Sequence, residues 1–120
     1  MKIADIKTSK NGIKTVTFFK LGIYTIIKDF LGFRYTQING KGMYLRYEKG
    51  SYRVSNFIEL KDSITEYLKT NFENLEINGD IDFENFINNF YHQRPIRKGD
   101  FSRDFLSENF ELTENNSEIL

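Results

Sequence analysis

Two glycine-bearing connectors, Asn39-Gly40-Lys41-Gly42 and Lys49-Gly50-Ser51, separate three short runs rich in aromatic and alternating residues. No other feature restricts the fold as tightly. Tight connectors of this kind between alternating runs are the signature of β-hairpins. The pattern predicts an antiparallel meander with strands at 33–38, 43–48 and 52–57. Side chains alternate between faces along a strand. Sorted by that period, Phe33, Tyr35, Met43, Leu45, Tyr47, Tyr52 and Val54 form one face. Arg34, Thr36, Tyr44, Arg46, Glu48, Arg53 and Ser55 form the other. The first is expected to be the core side, and the second a polar outer side carrying three arginines and a tyrosine.

Helical periodicity flanks the meander. Phe19, Ile23, Ile26, Ile27 and Phe30 recur at helical spacing and predict a helix over 17–31, stopped by Gly32 as a left-handed cap. Gly22 inside it marks either a close approach of another segment or a later helix start. Asn56 and Glu59 read as a capping box for a helix over 57–72 that carries Leu60, Ile64, Leu68 and Phe72 on one stripe. Ile77-Asn78-Gly79-Asp80 reads as a loop. Asp82 then caps a third helix bearing Phe83, Phe86, Ile87 and Phe90, which ends before Arg94-Pro95. A short fourth helix is expected from Phe101 to about residue 110. Before all of these, Asn11-Gly12 suggests a small hairpin of residues 3–8 and 12–16. The expected fold class is α+β: a small antiparallel meander packed against helices, with a helical C-terminal half. One domain is expected over 1–111, followed by a flexible acidic tail at 112–120.

Composition removes several chemistries. The 120 residues include no cysteine, so disulfides, thiolate metal sites and cysteine nucleophiles are excluded. The longest apolar-rich stretch, 21–33, is interrupted by Lys28 and Asp29 and falls short of the roughly 20 residues of a membrane span. No signal peptide is visible at the start. The expectation is therefore a cytoplasmic protein with no membrane partner. His92 is the one histidine, which leaves little for a catalytic triad or a zinc site. Asp80, Asp82 and Glu84 alternate like the start of a calcium loop. Asn85 then stands where that loop needs glycine, and Tyr91 where it needs a bidentate glutamate. No cofactor, metal or enzymatic activity is expected.

Charge supplies the positive signal. The chain has 17 basic and 17 acidic residues. The first sixty residues carry eleven Lys/Arg against four Asp/Glu, and the last sixty carry six against thirteen. Arg34, Arg46 and Arg53 with Tyr44, joined by Lys41 and Lys49 at the turns, are the first candidate contact surface. Guanidinium groups pair with phosphates and aromatic rings stack on exposed bases. Arg94, Arg97 and Lys98, with Arg103, form a basic island that either extends this set or pairs with the acidic tail. Glu73, Glu76 and Asp80 are the candidate acidic surface for a basic partner.

The stretch 24–69, YTIIKDFLGFRYTQINGKGMYLRYEKGSYRVSNFIELKDSITEYLK, resembles the N-terminal module of primase–helicase replication proteins of phages and mobile elements. The shared parts are a helix ending in Leu31-Gly32-Phe33, an Arg-bearing strand over 43–48 and an amphipathic helix over 59–69. The resemblance implies a mobile-element origin and a partner in nucleic-acid machinery, and carries over no catalytic residue. The expected function is a non-enzymatic binding protein that inhibits or modulates a nucleic-acid-processing machine. Its most concrete form is an anti-defence, anti-CRISPR-type inhibitor of an RNA-guided nuclease. The alternative is a stand-alone nucleic-acid-binding replication accessory. The expected partner is a protein or ribonucleoprotein effector, with single-stranded nucleic acid as a further contact.

Overall fold

Short connectors, a short half-buried helix and two amphipathic helices assemble into an α+β fold, which the computed structural model describes for residues 1–98 (for Ile38, the backbone alone). The strands are β1 (Ala4–Thr8), β2 (Lys14–Phe18), β3 (Phe33–Ile38), β4 (Lys41–Glu48), β5 (Ser51–Ser55) and β6 (Ile77–Asn78). The helices are α1 (Lys20–Thr25), which runs on into a π turn over Ile26–Phe30, then α2 (Phe57–Thr70) and α3 (Phe83–Gln93). The expected fourth helix at 101–110 and tail at 112–120 lie outside the described residues.

Two three-stranded sheets form. One has the order β2-β1-β6, with β1 antiparallel to β2 and parallel to β6. The other is the meander β3-β4-β5. The N-terminal hairpin is present as expected, with Gly12 at positive φ. Its second strand occupies residues assigned to the start of the helix, so α1 begins only at Lys20. Ile77–Asn78, expected as loop, instead adds a parallel strand to β1 and closes the first sheet.

Gly22 lies within α1 and is buried, and a Cβ built on it would meet the Lys2 carbonyl oxygen at 2.2 Å. Of the two readings of this glycine, close packing accounts for its contacts. The helix ends where expected. Leu31 N–H donates to the Ile26 carbonyl at 3.0 Å, an i to i+5 bond, and Gly32 follows with φ of 77°. The Gly32 carbonyl then accepts from Tyr47 N–H at 2.9 Å, which joins the helix end to β4.

The face assignment of the meander is corrected by its register. Asn39 and Gly40 alone make the first turn, so Ile38 faces Lys41 and Gly42 lies inside β4. Phe33 is therefore opposite Arg46 and Tyr35 opposite Tyr44, on one face; Arg34 is opposite Leu45, on the other. Between β4 and β5 the pairs are Arg46 with Arg53 and Tyr47 with Tyr52. The side that α2 covers thus carries Phe33, Tyr35, Tyr44, Arg46, Glu48, Arg53 and Ser55. Met43, Leu45, Tyr47, Tyr52 and Val54 share the outer side with Arg34, and Tyr47 and Val54 are about half exposed there. The polar-looking set faces inward because its cations bring their own carboxylates, as described below.

One apolar cluster ties the parts together. Ile3, Ala4 and Val16 from the first sheet meet Ile23 and Ile27 of the first helix, Phe33 and Tyr44 of the meander, Leu60, Ile64 and Leu68 of α2, and Phe86, Ile87 and Phe90 of α3. Each such large side chain contributes about 1.5–3 kcal/mol by leaving water. The Asn56 Oδ1 caps α2 by accepting Glu59 N–H at 2.8 Å, and the Asp82 Oδ1 caps α3 by accepting Asn85 N–H at 2.7 Å. The capping role of Asp82 is thus the one the structure displays.

Candidate functional site

The residue types that drew attention in the sequence separate into three places. Arg34 projects from the outer face of β3, and its Nη1 donates to the carbonyls of Lys28 and Phe33, each at 2.8 Å. Arg46 lies inward, with its guanidinium 4.8 Å from the centre of the Phe33 ring and its Nε donating to the Leu31 carbonyl at 3.1 Å. Its Nη1 is 3.4 Å from Glu59 Oε1. Arg53 reaches the same acid: Nη1 donates to Glu59 Oε2 at 2.9 Å, and Nη2 pairs with Oε1. Arg53 Nε also donates to Glu48 Oε2 at 2.7 Å.

Two cations and two carboxylates form this set, so it carries no net charge. A bidentate guanidinium–carboxylate pair is the strongest side-chain geometry for such a contact. Hydrogen bonding from Arg53 holds both Glu48 and Glu59 below the ordinary glutamate range, and holds the Arg53 guanidinium more firmly protonated still. The expected three-arginine surface is therefore not formed. One arginine is on the opposite face, and the other two are neutralised between the sheet and the start of α2. Lys41 and Lys49 are exposed at the two turns, at opposite ends of β4. Tyr44 is buried on the inner face, its ring 6.3 Å from that of Phe57, and its hydroxyl donates to the Lys98 carbonyl at 3.2 Å. Desolvation by burial, aided by the Tyr35 hydroxyl nearby, pushes the Tyr44 phenol up to about 12.

The acidic candidates lie on the side of the first sheet. Glu76 Oε1 accepts from the N-terminal ammonium at 3.0 Å, Glu73 is in the 3-10 turn after α2, and the Asp80 carbonyl accepts from Lys14 Nζ.

The basic island has a different fate. Arg94 is the C-cap of α3 in the left-handed conformation, with φ of 48° and ψ of 61°. Pro95 follows, so the chain turns sharply off the helix and lays Ile96 into the core at 6% exposure. This turn closes a groove of about 470 Å³ between α2 and the end of α3. Phe57, Lys61 and Thr65 form one wall, at i, i+4 and i+8 of α2. Phe90 and Tyr91 line it from α3, and Arg94, Pro95, Ile96 and Arg97 line it from the turn that follows. Among the described lining residues three are cations and none is acidic. Phe90 and Ile96 give it an apolar floor. Tyr91 is 48% exposed, and Lys69 Nζ lies 5.5 Å from the centre of its ring. Hydrogen bonding with the Tyr91 hydroxyl raises the Lys69 ammonium pKa.

No family model, curated protein or solved structure matches this chain.

What the groove can do chemically follows from its lining. Guanidinium and ammonium groups attract phosphate or carboxylate, and an apolar floor with aromatic rims takes a flat ring. Among the described residues, no group of three or more His, Asp or Glu is placed to hold a metal ion. No helix among them is long and apolar enough to cross a membrane. Of the expected contact residues, the structure brings Arg94 and Arg97 to the groove, with Lys98 next to them. Lys61 and Tyr91 were not singled out by the sequence. Their signal was the i, i+4, i+8 spacing of Phe57, Lys61 and Thr65, and the exposed i, i+3 pair Tyr91 and Arg94. On the flank of α2 turned away from the groove stand Asp62, Glu66 and Ile58, the last 71% exposed. The helix therefore separates a cationic side from an acidic one.

Proposed function

We propose that this protein is a non-enzymatic binding protein that modulates a nucleic-acid-processing machine by gripping the phosphate-bearing component of that machine in the groove between α2 and α3. The observation that carries this reading is the lining of the groove: Lys61 and Arg94 line one concavity together with Arg97, and none of its described lining residues is a carboxylate. Concave sites of about 300–1,000 Å³ with few, convergent polar groups are the usual form of ligand sites. In the most concrete form of the proposal the partner is a ribonucleoprotein, an RNA-guided nuclease, and the chain is its inhibitor. The resemblance of residues 24–69 to a primase–helicase module supports the alternative form, a replication accessory that binds bare single strands.

The test is retention of nucleic acid and protein from a host lysate on the immobilised full chain, with and without nuclease treatment. Parallel titrations use labelled RNA and DNA oligonucleotides. The expected result is nucleic-acid-dependent retention that the triple change Lys61→Glu, Arg94→Glu and Arg97→Glu abolishes while the thermal midpoint stays near the parent's. Binding to bare strands identifies the accessory, and binding only to the assembled particle identifies the inhibitor. Retention that survives both nuclease and the triple change overturns the proposal.

A further inference from the structure

We infer that the strand in the groove is unpaired, with one base stacked on Tyr91 and its neighbouring phosphates along Lys61 and Arg94. This rests on the nucleic-acid reading above and narrows it to a substrate class.

Three observations point the same way. The first is the ring itself. On α3, Phe86, Ile87 and Phe90 are buried, whereas Tyr91 remains 48% exposed at the rim of the groove. The ring is not loose, because Lys69 approaches it from the far end of α2. A pre-positioned, half-exposed aromatic ring loses little freedom on stacking, which is the condition for a base platform.

The second is the shape. The α2 wall runs from Phe57 to Thr65, eight residues or roughly 12 Å along the helix axis. Its floor of Phe90 and Ile96 is apolar. A duplex offers a convex row of phosphates and keeps the faces of its bases stacked on each other, so it gains nothing from an apolar floor or an aromatic rim. An unpaired base has a face to offer and fits into a concavity.

The third is the placement of the cations. The left-handed turn at Arg94, with Pro95 behind it, brings Arg94 to the groove that Lys61 also lines. A non-glycine residue in this conformation persists only where surrounding structure holds it, and such outliers cluster at binding sites. Here the buried Ile96 is that anchor. Phosphates on either side of a base held by Tyr91 would fall between these charges.

The experiment titrates the full chain by fluorescence anisotropy against three short probes of one length: a single-stranded oligonucleotide, the same strand annealed to its complement, and an abasic sugar–phosphate strand. The single strand is expected to bind at least about tenfold tighter than either of the others. Tyr91→Ala should weaken single-strand binding roughly 5- to 100-fold and leave the abasic strand unaffected. Tyr91→Phe should restore it. Tyr91→Leu replaces the alanine variant if that one unfolds by circular dichroism. Lys61→Gln and Arg94→Gln should weaken all three probes together. Equal binding of all three probes, or a Tyr91→Ala variant that keeps full single-strand affinity, overturns this inference and leaves the groove reading in place. Failure of every probe to bind overturns this inference and the accessory form of the groove reading, and the lysate retention test then decides the inhibitor form.

Discussion

Arg53 shows how a residue type can mislead about exposure. Its guanidinium engages Glu48 and Glu59 together, and Glu59 also receives Arg46. The folded protein holds both carboxyls below their ordinary range, whereas the unfolded chain leaves them near 4.3. Groups with a depressed folded pKa stabilise above the unfolded value and lose that contribution as pH falls through the folded value. Acidification below about pH 4.3 should therefore erode stability, and Glu59→Gln should flatten that part of the profile. At neutral pH the same change should cost about 1 kcal/mol, the upper end for a partly exposed pair, read from urea midpoints. Tyr44 gives the opposite sign of pH dependence. Its folded pKa is raised to about 12 from 10.0, so its share of stability is complete below pH 10 and drains as pH rises towards 12. Tyr44→Phe should remove that alkaline slope, which thermal midpoints taken on either side of pH 10 would show.

At the scale of elements, the connection of the N-terminal strand to α1 is the most sensitive joint. A methyl on Gly22 would collide with the Lys2 backbone carbonyl, a group that no rotamer change can move. Helix propensity alone favours alanine by about 1 kcal/mol, yet overpacking against backbone costs about 1–3 kcal/mol. Gly22→Ala is expected to destabilise on balance, measured as a lower urea midpoint with unchanged slope. Such elements were largely legible. Asn-Gly and Lys-Gly turns, the glycine that stops the first helix, and the Asn56 and Asp82 caps each declare themselves through local backbone chemistry. The faces of the meander did not, for a reason of parity. A two-residue turn pairs Ile38 with Lys41, so residues of opposite parity face one another, and Phe33 shares its side with Arg46. Counting apolar residues then selected the wrong inner face, because a paired arginine can lie under a helix as readily as a leucine can. The β6 strand was missed because two residues carry no periodicity. Lys61 and Tyr91 are thirty positions apart in sequence. Only the packing of α3 on α2 makes them neighbours in one groove, whereas Arg94, Arg97 and Lys98 were visible as a run.

For the molecule as a whole, the division of charge is sharper than a comparison of halves suggests. Residues 1–98 contain 16 of the 17 basic residues and 11 of the 17 acids, a net of +5, and residues 99–120 contain one base and six acids, a net of −5. A chain of zero net charge thus divides into a cationic stretch, 1–98, and an anionic one, 99–120. Phosphate binding by Lys61 and Arg94 would release counterions, and for a single strand the affinity should fall with salt at a log–log slope of about −1.4. A run of carboxylates on the same chain repels a phosphate strand through its field, which is screened beyond about 10 Å at 0.1 M salt. Replacing Glu108, Glu111, Glu114 and Glu118 by glutamine in the full chain should therefore tighten single-strand binding at low salt and steepen the approach of the strand to the protein. The two proteins should converge as salt rises past physiological strength. An affinity that is the same for both at low salt would show that the segment's charge does not reach the groove. A slope near zero would show that the groove cations are not what the strand meets.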